Sequence, residues 1–343
     1  MRLGIIARSD NTGLGNQTKE LVDMLNPSKI LLINSFSFNK NKQHPEWYEK
    51  YNCQHVRGFP KPSDIQAFLK GLDVVLSCET FYNKDFVTYA RKKNVKTILQ
   101  YNYEFLDNLQ KPDLALPDVL LAPSLWGFGA VTEAFGDKAK VIHLPPPTTQ
   151  SIFQKAKEEN LNKDHRKILH IAGKAAHMDR NGTNTVIEML KYSKEDYEIV
   201  VKSQSILDIN TKDLRLTIDT ESPENREDLY SGFDAMILPR RYAGLCLPMN
   251  ESLMSALPVF MTDISPNYNV LPKNWLVESK KINQFKARTE IDVYEANPEE
   301  LAKLVDRYIS KDKTESKKLA YDIGYSNFSS DVLKDKYIEI INK

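Results

Sequence analysis

Short apolar runs alternate with helix-like stretches throughout the chain. In the first half, apolar runs of strand length occur at 3–7, 29–33, 73–77, 96–100, 119–123 and 140–144. In the second half they occur at 167–173, 197–203, 214–219, 234–240 and 258–263. Between some of these runs lie helix-like stretches, at 16–25, 63–72, 183–193 and 251–257. Strands that alternate with helices predict α/β domains with doubly wound parallel sheets.

Two domains are expected, because 343 residues are too many for one core of ordinary size. Three consecutive prolines at 145–147 cannot continue a strand or a helix and form a stiff connector. We therefore predict an N-terminal domain at 1–147 and a C-terminal domain at 148–325. Residues 326–343 are expected to form a helix that packs back on the N-terminal domain. Two such domains would face a cleft, with ligands at the loops beyond the strands.

The composition is that of a soluble globular protein, with 41% apolar and 27% charged residues. The 47 basic and 46 acidic residues nearly cancel, so the composition gives no support for a strongly basic nucleic-acid binder, although a local basic patch is compatible with it. Cys53, Cys78 and Cys246 lack the spacing of a metal site, and Cys78 lies in an apolar run that predicts burial. Without a signal peptide or a membrane-spanning run, the chain is expected in the reducing cytoplasm.

Three loops that follow predicted strands carry candidate chemistry. In the first, at 7–20, Gly13 and Gly15 let the backbone approach a ligand ahead of a helix that Asn16 or Thr18 could cap. The loop is neither a P-loop nor a complete dinucleotide-binding motif. A tight turn that needs glycine for its geometry explains the same residues equally well.

The second loop, at 170–184, contains Gly173, Lys174 and Arg180 ahead of a predicted helix. Cations beside a helix N-terminus are typical of a diphosphate site. The alternative is a solvated surface loop, in which charged residues are common.

The third loop, at 240–252, begins with two arginines and ends at a single carboxylate. Arg240 would face an anion, and Gly244 and Leu245 could present backbone amides to a phosphate. Glu251 is predicted at the start of a helix, where a carboxylate favours the helix dipole. The same carboxylate could instead accept hydrogen bonds from a ribose diol.

Residues 229–263 resemble the donor site of GT-B glycosyltransferases, especially the large retaining group that includes sucrose- and glycogen-synthase-like enzymes. The positions that match in order and spacing are Gly244, Leu247, Pro248, Glu251, Pro258 and Val259. The loops at 13–25 and 172–182 resemble the family's glycine loop and phosphate loop. One position departs from the pattern, because Ala243 stands where the family has a first glutamate near the sugar ring.

The resemblance implies two Rossmann-like domains facing a cleft, a nucleotide-sugar donor, with a UDP-sugar favoured, and no metal or other cofactor. Lys174, Arg180 and the Gly244 amide would stabilise the leaving diphosphate. Glu104 lies near the position of a functional histidine in the family. The catalytic candidates are therefore Lys174, Arg180 and Glu104. The donor-binding candidates are Gly13, Gly15, Gly173, Arg240, Gly244, Leu245 and Glu251.

The chain also resembles bacteriophage-encoded glycosyltransferases in the runs 7–17 and 240–251. This resemblance implies a modified DNA base or a virion protein as the acceptor, and the host cytoplasm as the location. The main alternative is a catalytically inactive GT-B protein that binds a nucleotide or a sugar, for which Ala243 is the motive. An epimerase or phosphorylase-like enzyme and a Rossmann dehydrogenase are further alternatives, and the dehydrogenase would need a third glycine that the 13–18 loop lacks.

Overall fold

A computed structural model of the chain describes residues 1–36, 41–111, 113–173, 179–207, 213–221, 223–242 and 244–343, with the backbone alone for 107 and 108. The chain divides into two compact units. The first unit comprises Met1–Thr149 and Ser330–Lys343, and the second comprises Gln150–Ser329.

The first unit contains a seven-stranded parallel sheet in the order β3-β2-β1-β4-β5-β6-β7. Its strands are β1 (Leu3–Arg8), β2 (Lys29–Asn34), β3 (Cys53–Arg57), β4 (Val74–Cys78), β5 (Lys96–Gln100), β6 (Val119–Ala122) and β7 (Lys140–His143). Its helices are α1 (Gly13–Leu25), α2 (Pro62–Leu69), α3 (Phe86–Lys92), α4 (Leu106–Leu109) and α5 (Phe128–Phe135). Apolar clusters cover both faces of the sheet, which explains why its central strands read as continuous apolar runs.

The second unit repeats the arrangement with a six-stranded parallel sheet in the order β10-β9-β8-β11-β12-β13. Its strands are β8 (Lys167–Gly173), β9 (Glu198–Ser203), β10 (Leu216–Asp219), β11 (Ala235–Leu238), β12 (Val259–Thr262) and β13 (Leu276–Val277). A separate antiparallel hairpin follows, formed by β14 (Ser279–Lys286) and β15 (Glu290–Ala296). The helices are α6 (Gln154–Asn162), α7 (Thr183–Met189), α8 (Leu247–Met254), α9 (Pro298–Ile309) and α10 (Thr314–Phe328).

Short 3-10 turns complete both units, at Pro45–Tyr48, Tyr103–Phe105, Gln150–Phe153, Arg226–Leu229, Asn267–Asn269 and Lys273–Trp275. Among the helices that the structure describes, none is both long and apolar enough to cross a bilayer. The thiol of Cys78 is buried in the core of the first unit, as the apolar run predicts.

The last helix, α11 (Ser330–Asn342), belongs to the first unit. Leu333, Tyr337 and Ile341 are buried in the same cluster as α1 and the first sheet. The Tyr337 hydroxyl donates to the Pro145 carbonyl at 2.9 Å and accepts from the Gln100 amide at 3.0 Å. Because buried hydrogen bonds are costly to lose, this pairing fixes the helix on the sheet.

The structure confirms the predicted α/β class and both parallel sheets. It also contains elements that the apolar runs did not predict, namely the edge strands β3 and β13 and the β14–β15 hairpin. The predicted helix at 251–257 is α8, which begins four residues earlier, at Leu247. In both sheets the chain reverses its direction of winding at the centre, between β1 and β4 in the first and between β8 and β11 in the second. Ligands of such sheets bind beyond the carboxyl ends of that central pair.

Candidate functional site

The carboxyl end of β8 leads into the loop that the sequence assigned to a diphosphate. Gly173 ends the strand with φ +71°, a conformation that favours glycine. Lys174 lies outside the described residues, as does Ala243 in the loop after β11. Arg180 is half-buried and lies three residues before α7.

The N-terminus of α7 is occupied by a side chain of the protein. The Asp179 carboxylate accepts hydrogen bonds from the backbone N–H groups of Thr183 at 2.9 Å and Asn184 at 2.8 Å. The expectation that this helix N-terminus would bind a phosphate is therefore wrong, because its amides already bind an anion. Any phosphate affinity of the loop must come from its cations and from other amides.

Backbone contacts join this loop to the one that follows β11. The Arg241 N–H donates to the Arg180 carbonyl at 2.9 Å. Gly182 lies so close to Pro239 that a Cβ on the glycine would be 2.2 Å from the proline carbonyl oxygen. The Asn181 amide donates to the Ala172 carbonyl at 3.0 Å, which ties the same loop to the end of β8. The structure thus brings the loops of three predicted residues, Gly173, Arg180 and Arg240, together at the carboxyl ends of the central strands β8 and β11.

Arg240 is a buried cation. The residue is 6% exposed, and its Nε makes no hydrogen bond to any described residue. Within the described part of the chain, no carboxylate forms an ion pair with its guanidinium. A buried charge without a counter-charge costs several kcal/mol, and proteins normally pair it. An anion bound at this edge would supply the missing partner.

Gly244 and Leu245 lie between Arg240 and α8. Gly244 is buried with φ +140°, a conformation that L side chains rarely adopt, so the loop requires a glycine here. Leu245 is half-buried. Among the described residues, no backbone hydrogen bond from either N–H group is found. The contact of these groups with a phosphate stays a prediction.

Glu251 lies in the second turn of α8, since the helix begins at Leu247. The helix-dipole explanation of this carboxylate is therefore wrong, because the dipole acts on the first turn. Arg226 donates to Oε1 of Glu251, and the Tyr230 hydroxyl donates to Oε2 at 2.5 Å. Burial and the Glu251 charge raise the pKa of Tyr230 well above its usual value. The phenol thus stays protonated and holds the carboxylate in place.

Sequence reasoning did not find Arg226 and Tyr230. They lie 25 and 21 residues before Glu251, in and just after a 3-10 turn that precedes β11. No local pattern links them to α8, so only the folded chain shows the contact. Pro248, in the first turn of α8, was the available signal for the true start of the helix.

The remaining predicted residues lie in the first unit, at the carboxyl ends of its strands. Thr12 caps α1 by accepting from the Gly15 N–H at 3.2 Å, so the prediction of Asn16 or Thr18 as the cap is wrong. A Cβ on Gly15 would lie 1.8 Å from the Asp10 carbonyl oxygen. This close approach accounts for Gly15 by turn geometry, whereas Gly13 is exposed at the first position of the helix.

Glu104 lies in the 3-10 turn that follows β5, and it is half-buried. Its charge acts on a second carboxylate, Glu79, which directly follows β4. Burial chiefly, and Glu104 in addition, raise the pKa of Glu79, while Arg8 acts in the opposite direction. The Asn102 amide donates to Glu79 at 2.7 Å. Sequence analysis singled out Glu104 but neither Glu79 nor Asn102.

No family model matches the chain, and no curated protein sequence matches it. Solved structures do, over nearly their whole length. A glycosyltransferase from Rickettsia africae has a TM-score of 0.69 at 14% identity, with 99% of this chain and 97% of that chain covered. Sucrose-phosphate synthase from Thermosynechococcus elongatus has a TM-score of 0.67 at 12% identity, with 100% and 98% covered. Anabaena HepE, solved with UDP and glucose, has a TM-score of 0.67 at 10% identity, with 100% and 99% covered.

The chain has the GT-B fold. This confirms the predicted pair of Rossmann-like, parallel-sheet domains. At 10–14% identity the likeness concerns the backbone alone. What a GT-B protein binds and transfers depends on the side chains at its strand ends. The candidate side chains in this chain are Arg180, Arg240 and Glu251 in one unit and Glu79 and Glu104 in the other.

Proposed function

We propose that the chain is a glycosyltransferase that binds a nucleoside-diphosphate sugar at the carboxyl ends of β8 and β11 and transfers the sugar to a hydroxyl acceptor. The observation that carries the proposal is Arg240, a buried guanidinium that has no counter-charge among the described residues and lies at the point where a parallel sheet of this order binds its ligand. A diphosphate is an anion that fits this need. GT-B structures such as HepE have been solved with UDP.

Catalysis then consists of stabilising the diphosphate as it leaves. Negative charge grows on the phosphate oxygen when the bond to the sugar breaks, and Arg240, Arg180, Lys174 and the Gly244 amide would face that charge. A single such donor is typically worth about 3 kcal/mol of the barrier. We infer that these groups take the role that a metal ion has in other transferases, and that the reaction retains the configuration of the sugar, as in the enzymes that residues 229–263 resemble.

Glu251 is proposed to bind the ribose of the donor. Its two oxygens already accept hydrogen bonds from Arg226 and Tyr230. A carboxylate offers about four acceptor positions, so the diol of a ribose can still donate to it. We favour UDP as the nucleotide, because HepE binds UDP-glucose and shares the fold.

The acceptor is proposed to be a neutral hydroxyl compound or group held by the first unit. Glu79 and Glu104 are acids at the carboxyl ends of β4 and β5, and carboxylates accept hydrogen bonds from hydroxyl groups. The same charges repel phosphates. A hydroxyl on a modified DNA base or on a virion protein in a phage-infected cell suits these acids, whereas the phosphates of a DNA backbone do not.

A thermal-shift panel tests the donor site. UDP, GDP, ADP and dTDP are each added with and without their sugars, with inorganic pyrophosphate as a control that lacks a base. A ligand at 100 times its Kd stabilises the folded state by about 2.7 kcal/mol. We expect one diphosphate to raise the melting temperature more than the others. If no diphosphate shifts the melting temperature, Arg240 has another role and the proposal fails.

A second measurement separates an enzyme from a binding protein. The nucleotide-sugar that stabilises most is incubated with the protein, and release of the free nucleoside diphosphate is followed with water as the only acceptor. Slow hydrolysis that Arg240→Met abolishes would support transfer chemistry. Tight binding without any release would favour the catalytically inactive alternative.

A further inference from the structure

Within the described ranges, the β14–β15 hairpin pairs with no strand of either main sheet, and most of β14 is exposed. Two-stranded hairpins are marginally stable in water, so this one depends on what it packs against. Along β14, Phe285 is one of the few side chains that are not fully exposed. Its ring lies edge-on to the ring of Tyr242, with 5.2 Å between centroids and an interplanar angle of 73°.

Tyr242 belongs to the loop that carries Arg240, and it connects the hairpin to Arg180. The tyrosine is 7% exposed. The Arg180 guanidinium lies over its ring at 4.8 Å from the centroid. A run of contacts therefore leads from Phe285 through Tyr242 to a predicted catalytic cation.

The backbone makes a parallel connection. The Tyr294 N–H, on β15, donates to the Arg241 carbonyl at 2.6 Å, and the Arg241 N–H donates to the Arg180 carbonyl at 2.9 Å. The Arg241 guanidinium lies 3.8 Å from the Glu295 carboxylate. The hairpin thus contacts the loop after β11 through its backbone and through two side chains.

A loop of this kind needs such support. The described residues between β11 and α8 form neither a helix nor a strand, and Gly244 among them has positive φ. Loops without ladder hydrogen bonds are more mobile than the elements they join. Binding a ligand to a mobile loop costs ordering free energy, which a loop that is already held in place does not lose.

We propose that the β14–β15 hairpin is a positioning element for the donor site. Phe285 holds the Tyr242 ring, and that ring holds the Arg180 guanidinium in the orientation that a diphosphate requires. The inference rests on the proposed function, because it concerns the affinity of the same site. Phe285 is a positioning residue and does not itself contact the donor.

Calorimetric titration with UDP tests the proposal, with inorganic pyrophosphate as a second probe. Phe285→Ala and Phe285→Leu remove the ring, and the leucine keeps most of the apolar volume, so the fold is retained. Both should weaken binding about five- to tenfold, since a stacked cation loses its fixed orientation. Phe285→Tyr keeps the ring and should bind like the wild type. Ile282→Ala, on the same strand and 45% exposed, is the matched control and should also leave the affinity unchanged.

A double-mutant cycle identifies the route. In an Arg180→Met background, Phe285→Leu should have no further effect on the affinity for either probe, because the cation that the ring positions is gone. A merely structural Phe285 would lower the melting temperature while the Kd of the folded protein stays the same, and that result overturns the proposal. An equal loss with and without Arg180 also overturns it. If the wild type binds neither probe, the proposed function itself fails, and that outcome is recognised before any variant is made.

Discussion

The arginines at the central strand ends of the two sheets differ in whether an acid balances their charge. Arg8 ends β1 in the first unit, and its guanidinium donates to the buried Asp10 carboxylate at 3.1 Å. Arg240 follows β11 in the second unit and has no such acid among the described residues. The two sheets share the strand order around their central pair, and Arg8 ends the first strand of its pair whereas Arg240 follows the second strand of its pair. Each central pair thus has an arginine at its carboxyl end, and the neighbours decide whether its charge is already balanced.

This difference in charge balance favours a different kind of ligand in each unit. The first unit has balanced Arg8 with Asp10 and added Glu79 and Glu104 nearby, so an anion gains little there. The second unit keeps a cation buried, which costs stability until an anion binds. Proteins tolerate such a cost mainly at functional sites. Under the proposed function, the first unit would hold the hydroxyl acceptor and the second unit the diphosphate of the donor.

Glu251 gives the strongest test of this difference between the units, because it is a buried acid in the unit that we propose binds an anion. Glu251→Ala leaves Arg226 and the 1% exposed Tyr230 without their shared acceptor. We expect a loss of about 3 kcal/mol in the free energy of unfolding. That loss corresponds to roughly 6–12 °C in the melting temperature of the second unit, measured by calorimetry.

Glu251→Gln is the control for this loss. The glutamine oxygen can still accept from Tyr230, so most of the stability should return, while a ribose diol loses its charged acceptor. A stable Glu251→Ala protein with unchanged affinity for UDP would mean that Glu251 neither holds Arg226 nor binds ribose. The charge pattern of the second unit would then need another explanation.

The sequence predicted every strand of the two sheets except the edge strands β3 and β13, and it missed the hairpin, for a physical reason. The strands β2, β4 and β5 are buried on both faces, so they are continuous apolar runs that can be recognised without a structure. The edge strand β3 is mostly polar and half-exposed, and its pairing with β2 provides its stability. The β14–β15 hairpin is exposed along most of β14, so no apolar pattern marks it.

The candidate site follows the same division. Gly173, Arg180 and Arg240 could be predicted because a loop after a strand is where a parallel sheet binds ligands. The state of each side chain could not, since it depends on partners that are distant in the sequence. Glu251 meets Tyr230 from 21 residues away, and Tyr242 meets Phe285 only when the hairpin is in place. The α7 N-terminus shows the converse, because Asp179 binds the amides that a ligand was expected to take.

Arg240→Met tests whether the second unit holds an unbalanced cation. The expected change in the free energy of UDP binding is somewhat smaller than the change that Glu251→Ala causes in the free energy of unfolding. Methionine fills similar space without a charge, so the free protein should keep its melting temperature or gain a little, because a buried unpaired cation has been removed. The affinity for UDP should fall about 100-fold, equivalent to about 2.7 kcal/mol. Both quantities are read from calorimetry with and without UDP.

The exposed Arg307 on α9 is a matched control for net charge. Arg307→Met should alter neither the melting temperature nor the affinity for UDP beyond about twofold, because a screened surface charge contributes little. If Arg240→Met lowers the melting temperature strongly and leaves UDP binding intact, Arg240 has a structural partner and the two units do not differ in the way described.

Glu79→Gln addresses the first unit and has the smallest expected effect. Burial and Glu104 raise the pKa of Glu79, so the folded protein binds this proton more tightly than the unfolded chain does. The wild type must therefore lose stability as the pH rises from the unfolded carboxyl pKa of about 4.3 through the raised folded value. The glutamine variant, which keeps the Asn102 hydrogen bond, has no such loss.

The difference in unfolding free energy between Glu79→Gln and the wild type should therefore grow in favour of the variant across that pH window, and stay within about 1 kcal/mol because the shape of the side chain is kept. Urea titrations at pH 4 and pH 7 measure it. The affinity for UDP should not change, since the diphosphate site lies in the other unit. A variant that is less stable than the wild type at pH 7 would show that Glu79 is balanced by cations as fully as Arg8 is by Asp10, and a loss of UDP binding would show that Glu79 acts on the donor site. The contrast between the two sheets would then rest on Arg240 alone.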